Sequence, residues 1–245
     1  MNERWDVRKC TPDDLRCLID EWCISQATLL PLLNHICTVV RKFELNQIRN
    51  IGFPLRRVDS EKVVGYELIN YGYRDRLLDE KNKDGYWIVQ PDLPPSCIEK
   101  LILFRDGINL MSFCEMKNVN FETSALVSVG SKPNNLDFEQ LLEYFPRAKV
   151  VTCFENSIPG NILDIEIALA RRKSRGRFSI EGNMVEAEVD GKLHRVPTGD
   201  FRLSSVRKLF SLRYTSVVTM KPADALNFSE QLIKRNTIST KNAHL

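Results

Sequence analysis

Three short apolar runs, residues 98–104, 124–129 and 149–154, constrain this chain more than any other feature. Each is followed by a stretch of helical period, at 108–117, 136–145 and 160–173. Strands alternating with helices of about ten to fourteen residues imply βαβ units and hence a parallel sheet flanked by helices. The runs are nearly all apolar rather than alternating, as strands buried on both faces must be. The pattern starts just after Gln90-Pro91-Asp92-Leu93-Pro94-Pro95-Ser96, where three prolines in five residues can continue neither helix nor sheet. That segment sets the expected division into an N-terminal unit, 1–95, and an α/β unit, 96–245.

The N-terminal unit reads as a helical segment followed by a β-hairpin. Thr11 before Pro12, Asp13 and Asp14 is a helix-start pattern: a hydroxyl cap, a proline in the first turn, then acids on the positive end of the dipole. Leu15, Leu18, Ile19 and Trp22 follow at helical spacing. A second helix is expected from Ser25, disturbed at Pro31 and running towards Val40. The hairpin strands are 51–58 and 63–70 around a turn at 59–62, and polar residues 71–88 read as a surface loop. Tyr66, Glu67, Tyr71 and Tyr73 make a candidate stacking surface for single-stranded nucleic acid, although aromatics on a hairpin more often pack.

Beyond residue 176 the period changes again. Short alternating strands within about 177–197, turning at Gly182-Asn183 and Asp190-Gly191, form a small β insertion near the C-terminus. One more strand at 216–220 and a helix at 224–234 follow, and the polar last ten residues are expected to fray.

Composition narrows the class. At 245 residues the chain can bury a core without disulfides or a structural metal. The seven cysteines and three histidines show no zinc-ligand spacing, so buried thiols of a reducing compartment are expected. No apolar stretch approaches a membrane span, and the first ten residues lack the apolar core of a signal peptide; a cytoplasmic location is the expectation. Net charge is +3, unevenly spread: residues 171–245 hold 15 Lys+Arg against 7 Asp+Glu, +8, and the remainder is −5. The densest basic group is Arg171, Arg172, Lys173, Arg175 and Arg177. It suggests a polyanionic partner, or else cations set against the negative end of a helix.

Ligands of an open parallel sheet bind beyond the carboxyl ends of its strands. Three such ends are informative: Arg105-Asp106-Gly107-Ile108-Asn109, Gly130-Ser131-Lys132, and Glu155-Asn156-Ser157-Ile158-Pro159-Gly160. The second could cradle a phosphate on backbone N–H groups, or carry its glycine for steric reasons alone. With these ends in place, residues 98–232 resemble a Toprim domain, the metal-binding α/β module of bacterial primases, type IA and type II topoisomerases and some nucleases. Upstream, Phe53-Pro54-Leu55 and Val64-Gly65-Tyr66-Glu67-Leu68 before the proline segment resemble the layout of primase-like proteins of bacterial mobile elements. Downstream, Met220-Lys221-Pro222-Ala223-Asp224-Ala225-Leu226-Asn227-Phe228-Ser229-Glu230-Gln231-Leu232 is similar to that family's closing strand and helix.

The resemblance implies a Mg²⁺ site built from a glutamate after the first strand and Asp-x-Asp after the third, where three carboxylates hold the ion for phosphoryl transfer. This sequence departs from that set. Alignment puts Arg105 at the glutamate, Asn109 at the next aspartate, and Glu155 and Ser157 at the Asp-x-Asp positions, with Gly160 matched. Arg105 plants a cation where the metal would sit, and two unit charges ~4 Å apart interact by about 4 kcal/mol at an effective dielectric near 20. A one-residue shift would offer Asp106 instead. The expectation is a degenerate Toprim-like domain with no cofactor, in which Arg105 binds phosphate or pairs with Glu155.

The function implied is a non-catalytic, nucleic-acid-binding or replication and mobilisation accessory protein in DNA metabolism. Its nucleic-acid contacts would be Arg105, Arg171, Arg172, Lys173, Arg175 and Arg177, and its partners DNA or another nucleic acid and a replication or mobilisation protein, with no membrane. The alternative is an active Mg²⁺-dependent primase- or nuclease-like enzyme using Asp106, Glu155 and Asp164, with Ser157 as a further metal candidate beside Asp106 and Glu155. A protein-interaction scaffold is the third reading.

Overall fold

The structure is a computed structural model that describes residues 4–43, 46–58, 60–78, 85–130 and 138–242, and every statement of architecture below refers to them. The chain forms β1 (Arg4–Arg8), α1 (Arg16–Asp20), α2 (Gln26–Leu29), a 3₁₀ turn over Leu30–His35, β2 (Cys37–Phe43), β3 (Asn46–Arg56), β4 (Val63–Asn70), β5 (Tyr73–Leu78) and β6 (Trp87–Val89). It continues with β7 (Lys100–Phe104), α3 (Gly107–Met116), β8 (Ser124–Ser128), α4 (Phe138–Tyr144), β9 (Lys149–Cys153) and α5 (Ile158–Arg171). Last come β10 (Gly176–Glu181), β11 (Met184–Val189), β12 (Lys192–Pro197), α6 (Leu203–Val206), β13 (Val217–Thr219) and α7 (Phe228–Asn242).

A mixed α/β architecture results, with a central sheet in the order β13-β9-β7-β8-β6. β7, β8, β9 and β13 run parallel, and β6 joins β8 antiparallel at one edge. Side chains of β7 alternate between two cores, Leu101 and Leu103 on one face, Ile102 and Phe104 on the other. The first face packs on α4, α5 and the three-stranded β10-β11-β12 sheet; the second packs on α3, α7 and the N-terminal elements. Burial on both faces is why β8 is apolar throughout its centre and buried along its whole length. Residues 176–197 form an antiparallel three-stranded sheet, whose β11–β12 turn has positive φ at both Asp190 and Gly191, the geometry that matches the twist of the strands it joins.

The N-terminal half departs from expectation. Instead of a helical segment plus one hairpin, it is an antiparallel five-stranded sheet, β1-β2-β3-β4-β5, with two short helices packed beside it. Ser25 does start α2, its hydroxyl accepting the Thr28 N–H at 3.3 Å. The helix does not continue to Val40. After the 3₁₀ turn at Pro31, the β-branched Thr38-Val39-Val40 run pairs with β3. Thr11 does not cap α1; its hydroxyl donates to the Asp14 carboxylate at 2.7 Å. Residues 71–88 are not one loop either, since β5 extends the sheet beside β4 and Trp87 begins the strand paired with β8. Because β6 precedes the proline segment, the division expected at residues 95 and 96 is crossed by a strand of the central sheet. Residue 59 of the expected 59–62 turn and residues 136–137 of the expected 136–145 helix lie outside the described residues.

All seven cysteines are free thiols, with Cys17, Cys114 and Cys153 buried. No helix among the described residues is long and apolar enough to cross a membrane.

Candidate functional site at the carboxyl ends of the parallel strands

The ends of β7, β8 and β9 lie side by side, because Phe104 is opposite both Ser128 and Cys153 in register. The first residue beyond β7 is Arg105, and beyond it Asp106 starts α3. The Asp106 carboxylate accepts the Asn109 backbone N–H and the Asn109 side-chain amide, both at 2.8 Å. It is a helix N-cap, satisfying a donor that the first turn leaves open. Arg74 of β5 reaches the same Oδ2 that takes the Asn109 amide, at 3.6 Å, and stacks over the Trp22 ring at 4.2 Å. The N-terminal sheet thus delivers a cation to the end of the first parallel strand.

Glu67 reaches the same place from β4. Its carboxylate accepts the Gly107 N–H at 3.3 Å and the Ser128 hydroxyl at 3.4 Å, at the positive end of α3. Glu67 is buried rather than part of an exposed stacking surface. The signal was there in the alternation: Glu67 faces the same side of β4 as Ile69, opposite Phe53, which is the core side. Tyr66 is half-buried beside it, and the Tyr71 and Tyr73 hydroxyls bond to Asp20 and Asp75.

Beyond β9, Glu155 meets Arg105 with 4.0 Å between Nε and Oε1. That is the ion pair expected as one role of Arg105, with both side chains largely sheltered from water. Ser157 caps α5, its hydroxyl accepting the Gly160 N–H at 3.2 Å. Gly160 is dictated by close approach: a Cβ there would lie 2.1 Å from the Glu155 carbonyl oxygen. Asp164, one turn further, is 1% exposed and pairs with Lys221 at 2.6 Å. Lys221 follows β13 and also donates to the Glu155 carbonyl at 3.0 Å. Burial pushes the Asp164 carboxyl above the ordinary carboxylate range, opposed by the Lys221 ammonium. Burial likewise pushes Glu166 up, opposed by Arg105.

These residues do not fit a magnesium ion. Asp106, Glu155 and Asp164 each face a cation of the chain's own, Arg74, Arg105 and Lys221. The Ser157 hydroxyl is used as a helix cap. Among the described residues, no group of three or more His, Cys, Asp or Glu side chains could hold a metal ion.

The basic group expected to contact nucleic acid is elsewhere. α5 starts at the carboxyl ends of the strands and runs back along the sheet, so its 14 residues put Arg171 about 20 Å from Ser157. Arg105 is therefore not part of one surface with Arg171–Arg177. Lys173, at φ 55, closes α5 in the left-handed conformation, and the Ser174 N–H returns to the Leu169 carbonyl. Each cation of the group has an internal partner. Arg171 donates to the Pro146 carbonyl, while Arg172, Lys173, Arg175 and Arg177 face Asp190, Glu143, Glu139 and Glu188. Lys173, Arg175 and Arg177 remain 75%, 86% and 89% exposed at the rim of a shallow groove. Of the Gly130-Ser131-Lys132 turn, residues 131 and 132 lie outside the described residues.

The class defined by fold and site is thus a mixed α/β protein whose strand-end carboxylates are neutralised from within. No family model matches the sequence, and a search of curated proteins finds no match. Among solved structures, the chain is similar to the primase fragment of the bacteriophage T7 primase-helicase protein. The TM-score is 0.49 at 10% identity, covering 96% of this chain and 74% of that one. It is also similar to a chain in the complex of bacteriophage T7 lagging-strand DNA polymerase with primase domains bound to an RNA/DNA hybrid and dTTP. There the TM-score is 0.41 at 13% identity, over 60% of this chain and 70% of that one.

Proposed function

We propose that this protein is a nucleic-acid-binding accessory protein of DNA metabolism, with a Toprim-like centre that has exchanged metal chemistry for internal ion pairs. The observation that carries the reading is the pairing of Asp106, Glu155 and Asp164 with Arg74, Arg105 and Lys221. The acids that the enzyme reading would use for Mg²⁺ instead tie the N-terminal sheet to the start of α3, the β7 end to the β9 end, and α5 to the β13 end. A divalent ion would have to displace a guanidinium or ammonium group to reach any of them.

Nucleic acid is bound at the other end of α5, by Arg171, Arg172, Lys173, Arg175 and Arg177. Ion pairs as exposed as Lys173–Glu143 and Arg175–Glu139 are screened by water and hold their cations weakly, so a phosphate can take over the cation at little cost. Each phosphate neutralised releases counterions, which gives the binding its salt dependence. The protein partner is a replication or mobilisation protein, in keeping with the mobile-element resemblance of the sequence.

Replacing Arg171, Arg172, Lys173 and Arg175 together by Ala tests the assignment in a fluorescence titration with labelled DNA. Affinity is expected to fall on every sequence tested, and the salt slope to shrink by roughly 1 for each phosphate that is no longer neutralised. Unchanged affinity and slope would refute it. Binding or cleavage that requires Mg²⁺ would favour the enzyme reading through Asp106, Glu155 and Asp164, and no binding at all the interaction scaffold.

A further inference from the structure

A cavity of about 550 Å³ opens beside the strand ends, between the start of α5, the segment leading into α6 and the end of β13. It is separate from the basic group at the far end of α5. We infer that it binds a phosphate monoester carried on a polar body, a nucleotide or the 5′-phosphorylated end of a nucleic-acid strand.

Three features converge. Two cations line the cavity from different elements: Lys221 after β13, and Arg202, which precedes α6. Among the described lining residues the carboxylate is Asp164, already paired with Lys221 at 2.6 Å, so the net lining charge is positive and Arg202 carries the excess. Arg202 is exposed, and among the described residues its guanidinium bonds to the Gly199 carbonyl at 3.0 Å, which leaves other N–H donors of the fork for phosphate oxygens.

The third feature is the N-terminus of α5. Pro159 has no N–H, the Gly160 N–H is taken by the Ser157 hydroxyl, and the Asn161 N–H by the Ser157 carbonyl. Of the first turn, the Ile158 N–H has no partner among the described residues, at the positive end of a 14-residue helix dipole. The rest of the lining is largely amide and hydroxyl, including Asn161 and Ser204, and the volume is in the range of small-molecule sites, far more than one phosphate needs. A dianionic monoester gains more from this set of donors than the single charge of a backbone diester does.

The inference does not rest on the nucleic-acid assignment above, since it concerns the opposite end of α5. The probes are AMP against adenosine by calorimetry, and 5′-phosphorylated against 5′-hydroxyl oligonucleotide by fluorescence anisotropy. The phosphorylated member of at least one pair is expected to bind at least tenfold tighter. Preference within both pairs marks a free nucleotide site, and preference for the strand alone marks an end-binding site. Arg202→Ala should abolish the preference and Arg202→Lys retain part of it. Ser204→Tyr, which fills the cavity without removing charge, should abolish it too. The Arg171, Arg172, Lys173 and Arg175 quadruple variant should keep the preference even as general affinity falls. Equal or absent binding of phosphorylated and unphosphorylated probes, or a preference unchanged in Arg202→Ala, would overturn the inference.

Discussion

Replacing Lys221 by Met removes the counter-charge of the most deeply buried acid in the described structure while keeping most of the apolar stem. Asp164 and Lys221 are 2.6 Å apart, with side chains 1% and 21% exposed. At an effective dielectric near 20, unit charges at that separation of 2.6 Å attract by about 6 kcal/mol. Part of that offsets the desolvation of both groups, and removal of one partner from a buried pair costs about 3–5 kcal/mol. The partial exposure of Lys221 puts the expected loss near the lower end, about 3 kcal/mol, including its bond to the Glu155 carbonyl.

The loss depends on pH in a defined direction. Burial already raises the Asp164 carboxyl in the folded chain, and removal of Lys221 raises it further. The folded state then holds that proton more tightly than the unfolded chain does. Protonation therefore favours folding, fully so below the unfolded pKa, and this contribution is lost as pH rises through the folded pKa. Urea denaturation of Lys221→Met should accordingly show its full deficit near neutral and alkaline pH and a smaller one in acid. Asp164→Asn in the same chain should recover much of the deficit. A loss below about 1 kcal/mol at neutral pH, with no pH dependence, would show that the pair does not close the strand-end site.

Two further substitutions test neighbouring parts of the account. Arg105→Glu turns the attraction across 4.0 Å to Glu155 into a repulsion, beside Glu166. Tm should fall by about 2–4 °C for each kcal/mol lost, and millimolar Mg²⁺ should restore it in the variant while leaving the parent protein unmoved; a parent Tm that rises with Mg²⁺ would contradict the pairing scheme. Gly160→Ala forces a methyl group to within 2.1 Å of the Glu155 carbonyl oxygen, so the loop must shift at a cost of about 1–3 kcal/mol or more, read by thermal unfolding. A neutral result would mean that the 155–160 loop is not held as described.

The sequence shows the βαβ half of the molecule well because its signals are local. β7, β8 and β9 are short apolar runs with helices between them, and their observed bounds fall within a residue or two of the expected ones. The N-terminal half is harder to read because its strands depend on partners distant in sequence. β1, Arg-Trp-Asp-Val-Arg, has little apolar alternation of its own and exists by pairing with β2, at register partners 30 to 38 residues on. Thr38-Val39-Val40 continues a plausible helix period until β3 supplies a ladder.

At the site, Arg105 and Glu155 could be paired in advance because each follows a strand predicted to lie in the same sheet. Arg74 on Asp106 and Lys221 on Asp164 join elements whose positions only the folded chain defines. Glu67 is legible as an acid on the inward side of an alternating strand, whereas its neighbour Tyr66 lies on the opposite face and suggests an exposed aromatic surface.

The most direct test of the central claim is the binding of fluorescent single- and double-stranded DNA at two salt concentrations, with and without Mg²⁺. A metal-free module gives affinity that falls steeply with salt, is unchanged by Mg²⁺, and is accompanied by no cleavage or synthesis. Binding or turnover that requires Mg²⁺ would contradict the claim, because it would mean that a divalent ion displaces Arg74, Arg105 or Lys221 from the carboxylates they neutralise.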